Sequence, residues 1–337
     1  MEIASPYQYF GGKRRIAALA WERCGDCPNY VEPFFGSGAV LINRPHYPWS
    51  GNRIETVNDL HGFIPNFWRA IQAAPDEVAK WTDWPVSELD LHARHLWLVT
   101  EGRKQIETLR TDPEFFDVKI AGWWVWGLCQ WIGAGWCSGR PSQQRPHLGD
   151  AGRGVHRPSQ QLPHLGDAGR GVHRPSQQRP HLGDAGQGVH RPGSDLPEYF
   201  RLISARLRGV RVCCGNWKRV CGPAPTFKHG MTAVFLDPPY SHSERDENLY
   251  AEDHDVSRDV REWCLENGGN KLLRIALCGY AGEGHDDMVD HGWECVAWKA
   301  AGGYANQGED GQENAARERI WFSPNCLHPE GLFKGIE

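Results

Sequence analysis

Thr232-Ala233-Val234-Phe235-Leu236-Asp237-Pro238-Pro239-Tyr240 is an apolar run that closes on an acidic residue, two prolines and an aromatic ring. The uninterrupted segment Thr232 to Leu236 predicts a buried strand. In a doubly wound sheet ligands bind in the crevice outside the carboxyl ends of the strands, so Asp237 to Tyr240 fall where a site is expected. Their chemistry suits a flat ring bearing an amino group. Asp237 can accept one amine hydrogen, a proline carbonyl can accept the other, and Tyr240 can stack on the ring face. The same residue types also make a tight turn, with proline fixing the backbone and tyrosine covering a core. Context has to decide between the two.

The context lies near the other end of the chain. Tyr30-Val31-Glu32-Pro33-Phe34-Phe35-Gly36-Ser37-Gly38, followed by the apolar Ala39 to Ile42, predicts a short strand, a glycine turn and a helix. Glycines there let backbone approach a ligand closely, which a side chain would block. The spacing lacks the third glycine of the dinucleotide fingerprint, and the absence of Gly-Lys-Ser or Gly-Lys-Thr excludes a P-loop. Ile54-Glu55-Thr56-Val57 predicts a second strand that ends in Asn58-Asp59. An acidic residue at that place can hold the two hydroxyls of a ribose. Asp59 can equally cap the amino end of a helix over Leu60 to Ala73.

Three segments in order, Tyr9-Phe10-Gly11-Gly12-Lys13, Val31 to Gly38 and Asp237-Pro238-Pro239-Tyr240, resemble the Dam-type, D12-class family of adenine-specific DNA methyltransferases. The resemblance implies an α/β fold with a Rossmann-like sheet, S-adenosylmethionine as cofactor, and a site-specific enzyme that methylates N6 of an adenine flipped from duplex DNA. It implies cofactor contacts at Tyr9, Lys13, Glu32, Phe34, Phe35, Gly36, Ser37, Gly38 and Asp59. The flipped base falls to Asp237, Pro238, Pro239 and Tyr240 as the catalytic set. Lys13 can instead serve the target strand, since a lysine so placed suits either partner. Where the family often has Asp-Phe or Asp-Trp, this chain has Asn216-Trp217, which puts an ionic role there in doubt. Lys271 to Tyr280 and Arg319 to Ser323 resemble the later strands. A discontinuous catalytic domain is expected over 1–66 and 208–337, with a target-recognition insertion at 67–207.

The implied mechanism needs no covalent protein intermediate. An adenine amine is a poor nucleophile because its lone pair is delocalised into the ring. Hydrogen bonds from both amine hydrogens to Asp237 and the Pro238 carbonyl would draw the nitrogen toward tetrahedral geometry, which is catalysis by positioning and electrostatics. Flipping the base costs a few kcal/mol, partly offset by stacking on Tyr240. Methylation of cytosine C5 needs a cysteine after a proline, and no Pro-Cys pair occurs in the sequence. N4-methylation of cytosine uses the same kind of pocket and stays open, as do an RNA substrate and a catalytically silent DNA-binding or decoy protein of this fold.

A length of 337 residues is enough for one large core or two unequal ones. The net charge of −5 is unexpected for a DNA binder, although charge placement matters more than the total. No apolar leader and no membrane-length run are present, so a bacterial-type cytoplasm is expected, with a phage-borne gene as one source. The eleven cysteines should then be mostly reduced. Cys24-Gly25-Asp26-Cys27 has the spacing of half a zinc site, which Cys213, Cys214 or Cys221 would have to complete; without a second close-spaced pair no metal is expected. Among sixteen tryptophans, Trp123, Trp124, Trp126, Trp131 and Trp136 cluster at partly helical spacing. That pattern favours a packed core helix over an aromatic wedge for unstacked bases.

A tandem repeat of seventeen residues begins at Arg140, Arg157 and Arg174, the copies differing only at Arg145 versus Leu162 and Arg153 versus Gln187. Each copy has little aliphatic content amid Pro, Gly, Gln and His, so it cannot offset its ordering entropy, and a flexible insert at 140–190 is expected. Seven arginines against three aspartates give that stretch a charge of +4, which leaves −9 for the rest of the chain. It also holds six of the sixteen histidines. A tolerated loop expansion is favoured. A basic strip that follows phosphates is the alternative, and a histidine metal site the weakest reading.

Overall fold

The computed structural model describes residues 3, 5–7, 13–45, 53–84, 87–112, 114–130, 136–137, 195–239, 251–298 and 318–328. The chain divides into two compact units, one drawn from Gly11–Leu60, Gly209–Gly302 and Gly308–Glu337, the other from Met1–Phe10, His61–Arg208 and Gly303–Gln307. The tandem repeat lies outside the described residues.

The first unit is built on a seven-stranded sheet. Its strands are β1 (Asn29–Glu32), β2 (Ile54–Asp59), β3 (Val210–Cys214), β4 (Thr232–Leu236), β5 (Leu273–Tyr280), β6 (Glu294–Ala297) and β7 (Glu318–Phe322). Their order is β3-β2-β1-β4-β5-β7-β6. Neighbours from β3 to β5 pair in parallel, and β7 is antiparallel to both β5 and β6. This is a Rossmann-like sheet in which the strand order reverses between β1 and β4. At such a reversal the crossovers leave the sheet in opposite directions and open a crevice above the carboxyl ends.

The apolar runs read from the sequence are the central strands. Every residue of β1 and of β4 is buried, as parallel strands covered on both faces require. On one face Val31, Val234, Leu236, Ile275 and Leu277 join Val260 and Cys264 of the helix Ala251–Asn267 in one core. On the other face Trp21, from the helix Arg14–Cys24, packs on Tyr30 with ring centroids 4.7 Å apart. That helix buries Ile16, Ala17, Ala20, Trp21 and Cys24, a stripe at helical spacing. Because it precedes β1 and runs back along the sheet, its first turn lies at the same edge as the carboxyl ends of the strands. Strand β6 has alternating burial and carried no sequence signal of its own.

Helices make up the described part of the second unit, among them Phe63–Ala73, Pro75–Thr82, Glu88–Trp97, Val118–Gln130 and Leu196–Leu207. Val118–Gln130 carries Trp123, Trp124 and Trp126 of the expected tryptophan cluster, with Trp124 and Trp126 almost fully buried, while Trp136, also buried, lies in a turn beyond its end. Its amino end is held by Asp117, whose carboxylate accepts from Ile120 N, while Asn66 exchanges hydrogen bonds with the Asp117 backbone. Gly122 allows this helix to touch Pro75–Thr82, since a Cβ there would lie 2.3 Å from the Cβ of Trp81. The half-buried Trp123 and Trp97 rings hold the Lys119 ammonium 4.4 and 4.0 Å from their centroids. Trp131 falls outside the described residues. Among the described residues no helix is long and apolar enough to cross a membrane.

Cys24 and Cys27 are both buried free thiols, and the Cys27 Sγ donates to the Cys24 carbonyl at 3.3 Å. Burial is the main force that raises the Cys27 thiol to about 11. Among the described residues no group of three or more His, Cys, Asp or Glu is placed to hold a metal ion.

Candidate functional site

Two chain segments meet at the reversal between β1 and β4. β1 runs into Pro33, Phe34, Phe35 and the turn Gly36-Ser37-Gly38. Gly36 and Gly38 have φ of 46° and 66°, the left-handed region where a side chain is strained. The turn closes with Gly38 N donating to Phe35 O at 2.9 Å and leads into the single helical turn Ala39–Ile42. It is also anchored to the end of β2: Phe35 N donates to Asn58 O at 2.9 Å, and Gly36 N donates to Asp59 Oδ2 at 3.0 Å. Asn58 ties three strand ends together, its Nδ2 donating to the carbonyls of Pro33 and Gly215 at 3.0 and 2.9 Å.

Asp59 is the last residue of β2 and half-buried. It is not a helix cap: the following helix begins at Phe63, with Gly62 before it and no side-chain cap. Two acceptor positions on one carboxylate at the end of the second strand suit a pair of hydroxyls. Phe34, half-buried just past the end of β1, packs on the buried core ring of Trp217 with centroids 6.2 Å apart. Asn216 replaces a charged residue with a local role, its Oδ1 accepting from Lys218 N at 2.9 Å.

β4 delivers Asp237, Pro238 and Pro239 to the same edge. Asp237 is half-buried, Pro238 buried and Pro239 exposed. Lys13, before the first turn of its helix, reaches across: its Nζ lies 3.1 Å from Asp237 Oδ1 and 3.7 Å from Glu318 Oε2. The Lys13 side chain is 6 % exposed. Burial alone would depress its pKa and is the largest single influence, but Asp237, Cys278 and Glu318, in that order, together outweigh it and raise it, so the ammonium stays charged. Burial also pushes the Glu32 carboxyl well above the usual carboxylate range, and the Asp237 charge adds to that. The Tyr30 hydroxyl donates to Glu32 Oε2 at 2.8 Å and works the other way. Glu32 thus points into the helix-covered face of the sheet.

The residues expected from the sequence therefore fall into two neighbouring groups. Phe34, Phe35, Gly36, Ser37, Gly38 and Asp59 line the ends of β1 and β2; Lys13, Asp237, Pro238 and Pro239 gather at the end of β4, with Glu32 buried beneath. Tyr9 and Tyr240 lie outside the described residues. Asn58, Glu318 and Trp298 escaped the sequence reading. Asn58 was visible only as the residue before Asp59, and nothing in the sequence around Glu318 or Trp298 marks them.

Residues 9–87 match the family model for D12 class N6 adenine-specific DNA methyltransferases. The matched stretch holds the glycine turn, Lys13 and Asp59. The seven-stranded, mostly parallel sheet is consistent with a Rossmann-like methyltransferase fold, so sequence match and topology agree. No curated protein matches the chain.

Proposed function

We propose that this protein transfers a methyl group from S-adenosylmethionine to N6 of an adenine in DNA at a specific site. The observation that carries the reading is the reversal between β1 and β4, which sets a glycine turn and a half-buried carboxylate on one side and Asp237-Pro238-Pro239 on the other. Family and fold support DNA adenine methylation in general.

The residues present fit the cofactor. Asp59 offers a carboxylate for ribose hydroxyls, the Gly36-Ser37-Gly38 turn brings little side-chain bulk, and half-buried Phe34 offers an apolar edge for a purine. When bound, S-adenosylmethionine would supply an electrophilic methyl group. Asp237 and the Pro238 carbonyl would accept the two hydrogens of the substrate amine and free its lone pair, with Tyr240 stacked on the ring. Placing such acceptors in advance lowers the barrier, because no solvent has to reorganise during the reaction. The helical unit at 61–208, corresponding to the insertion at 67–207, would read the target sequence.

Genomic DNA from a methylation-free host carrying the wild-type chain, compared with an Asp237→Ala control, tests this. Methyladenine at one short motif, absent in the control, is expected. Methylcytosine would move the assignment to the N4-cytosine reaction, and no modification by soluble protein would overturn DNA methylation.

A further inference from the structure

Lys13 reaches two carboxylates on strands that run in opposite directions. Since β7 is antiparallel, its first residue, Glu318, comes to the edge where β4 and β5 end. The Glu318 backbone is fixed on both sides, paired with Tyr280 and accepting from Trp298 N at 3.2 Å. Its side chain is 3 % exposed, so the carboxylate is largely shielded from water. The Trp298 ring centroid lies 5.1 Å from the Lys13 ammonium, a contact that favours the cation without using any of its N–H donors. The buried Trp298 Nε1 has no hydrogen-bond partner among the described residues.

Under the function proposed above, Asp237 has two claims on it. An ammonium 3.1 Å away takes one acceptor position of the carboxylate and draws on its charge, which makes it a weaker acceptor for the substrate amine. Lys13 has three donors, and a movement of roughly 0.7 Å would turn its contact with Glu318 into a hydrogen bond while relaxing the one to Asp237. We propose, on the strength of that reading, that Glu318 is a positioning residue: it takes over the Lys13 ammonium when Asp237 turns to the exocyclic amine of the substrate base. The charge of Lys13 is then balanced throughout, and Asp237 faces the amine as a full acceptor.

Glu318→Gln keeps the shape and removes the charge, leaving Lys13 on Asp237. The expected result is kcat lower by about tenfold or more, with KM for DNA and for S-adenosylmethionine within about twofold, because the loss falls on the transfer step. Glu318→Asp, one methylene too short to reach Lys13 yet still charged, should show the same split and decides the matter if the glutamine variant does not fold. Unchanged kcat per folded molecule in a folded variant, with at most a lower melting temperature, overturns the proposal and leaves the methyltransferase reading standing. A wild-type protein that transfers no methyl group overturns both.

Discussion

The backbone amide of Gly36 donates to the carboxylate of Asp59 at 3.0 Å, so the residue to which the proposed function gives a ribose also shapes the turn beside it. The two roles separate by substitution. Asp59→Asn retains an oxygen for Gly36 N but loses the charge and an acceptor, and should weaken S-adenosylmethionine binding by about ten- to a hundredfold, the worth of one or two charged hydrogen bonds. Asp59→Ala removes the anchor as well and should also lower stability by about 1 kcal/mol. Titration calorimetry and thermal melts check both. Wild-type affinity in the asparagine variant would confine Asp59 to holding the turn.

Asp237→Asn should separate chemistry from binding. The amide presents one acceptor and one donor where the carboxylate presents two acceptors, so an amine hydrogen loses its partner in the transition state. Methyl transfer should fall by about a hundredfold or more, as when one preorganised electrostatic contact is removed. Affinity for S-adenosylmethionine should change little, because the contacts proposed at the glycine turn and Asp59 lie past the ends of β1 and β2, away from Asp237. Lys13 keeps Glu318 within 3.7 Å, so the fold should survive. Single-turnover rates beside a binding isotherm measure the split, and an equal loss of both would place Asp237 in the cofactor pocket.

Much of this site was legible because its parts are local. A buried parallel strand is a short apolar run, and the residues after it sit at the ligand edge, so Asp237 and Gly36-Ser37-Gly38 could be placed from the sequence around them. The Asp59 carboxylate showed why residue type alone is insufficient: aspartate serves a cap or a hydroxyl pair equally well, and the Gly36 amide decided which surroundings it has. Glu318 was invisible for another reason. Its position depends on an antiparallel strand whose partner, Tyr280, is distant in sequence, and one glutamate before an apolar run carries no sign of pairing. The helical unit was legible as far as its apolar periodicity, which put Trp124 and Trp126 in the core.

Gly122 offers a test of that helical packing. In an isolated helix alanine would be favoured over glycine by about 1 kcal/mol. Here a Cβ would fall 2.3 Å from the Trp81 Cβ and 2.7 Å from its carbonyl carbon, which are not the free end of a flexible side chain. Gly122→Ala should therefore destabilise by about 1–3 kcal/mol through forced separation of two helices. Urea unfolding followed by tryptophan fluorescence measures it, and a midpoint at or above wild type would mean that the two helices part without cost.

Two buried histidines predict how stability responds to acid. His95, in the helical unit, and His285, in the sheet unit, are 0 % and 1 % exposed. Burial is the largest cause of depression in each, with His92 and Arg103 adding to it at His95 and Arg261 at His285, where Asp286 and Asp287 pull the other way. Both fall from 6.5 to about 4. Above pH 6.5 neither folded nor unfolded chain binds these protons, so their full contribution is present. As pH falls from 6.5 toward 4 the unfolded chain takes up protons that the folded one refuses, and stability is lost, on the order of 1–3 kcal/mol per histidine. Below about 4 both states are protonated and the loss stops growing. Melts between pH 7.5 and 4 should show this slope. His285→Gln should flatten its share of it, although it also gives up the ring packing on Trp321, whose centroid is 5.1 Å away. An unchanged slope in that variant would mean that His285 takes up its proton without unfolding.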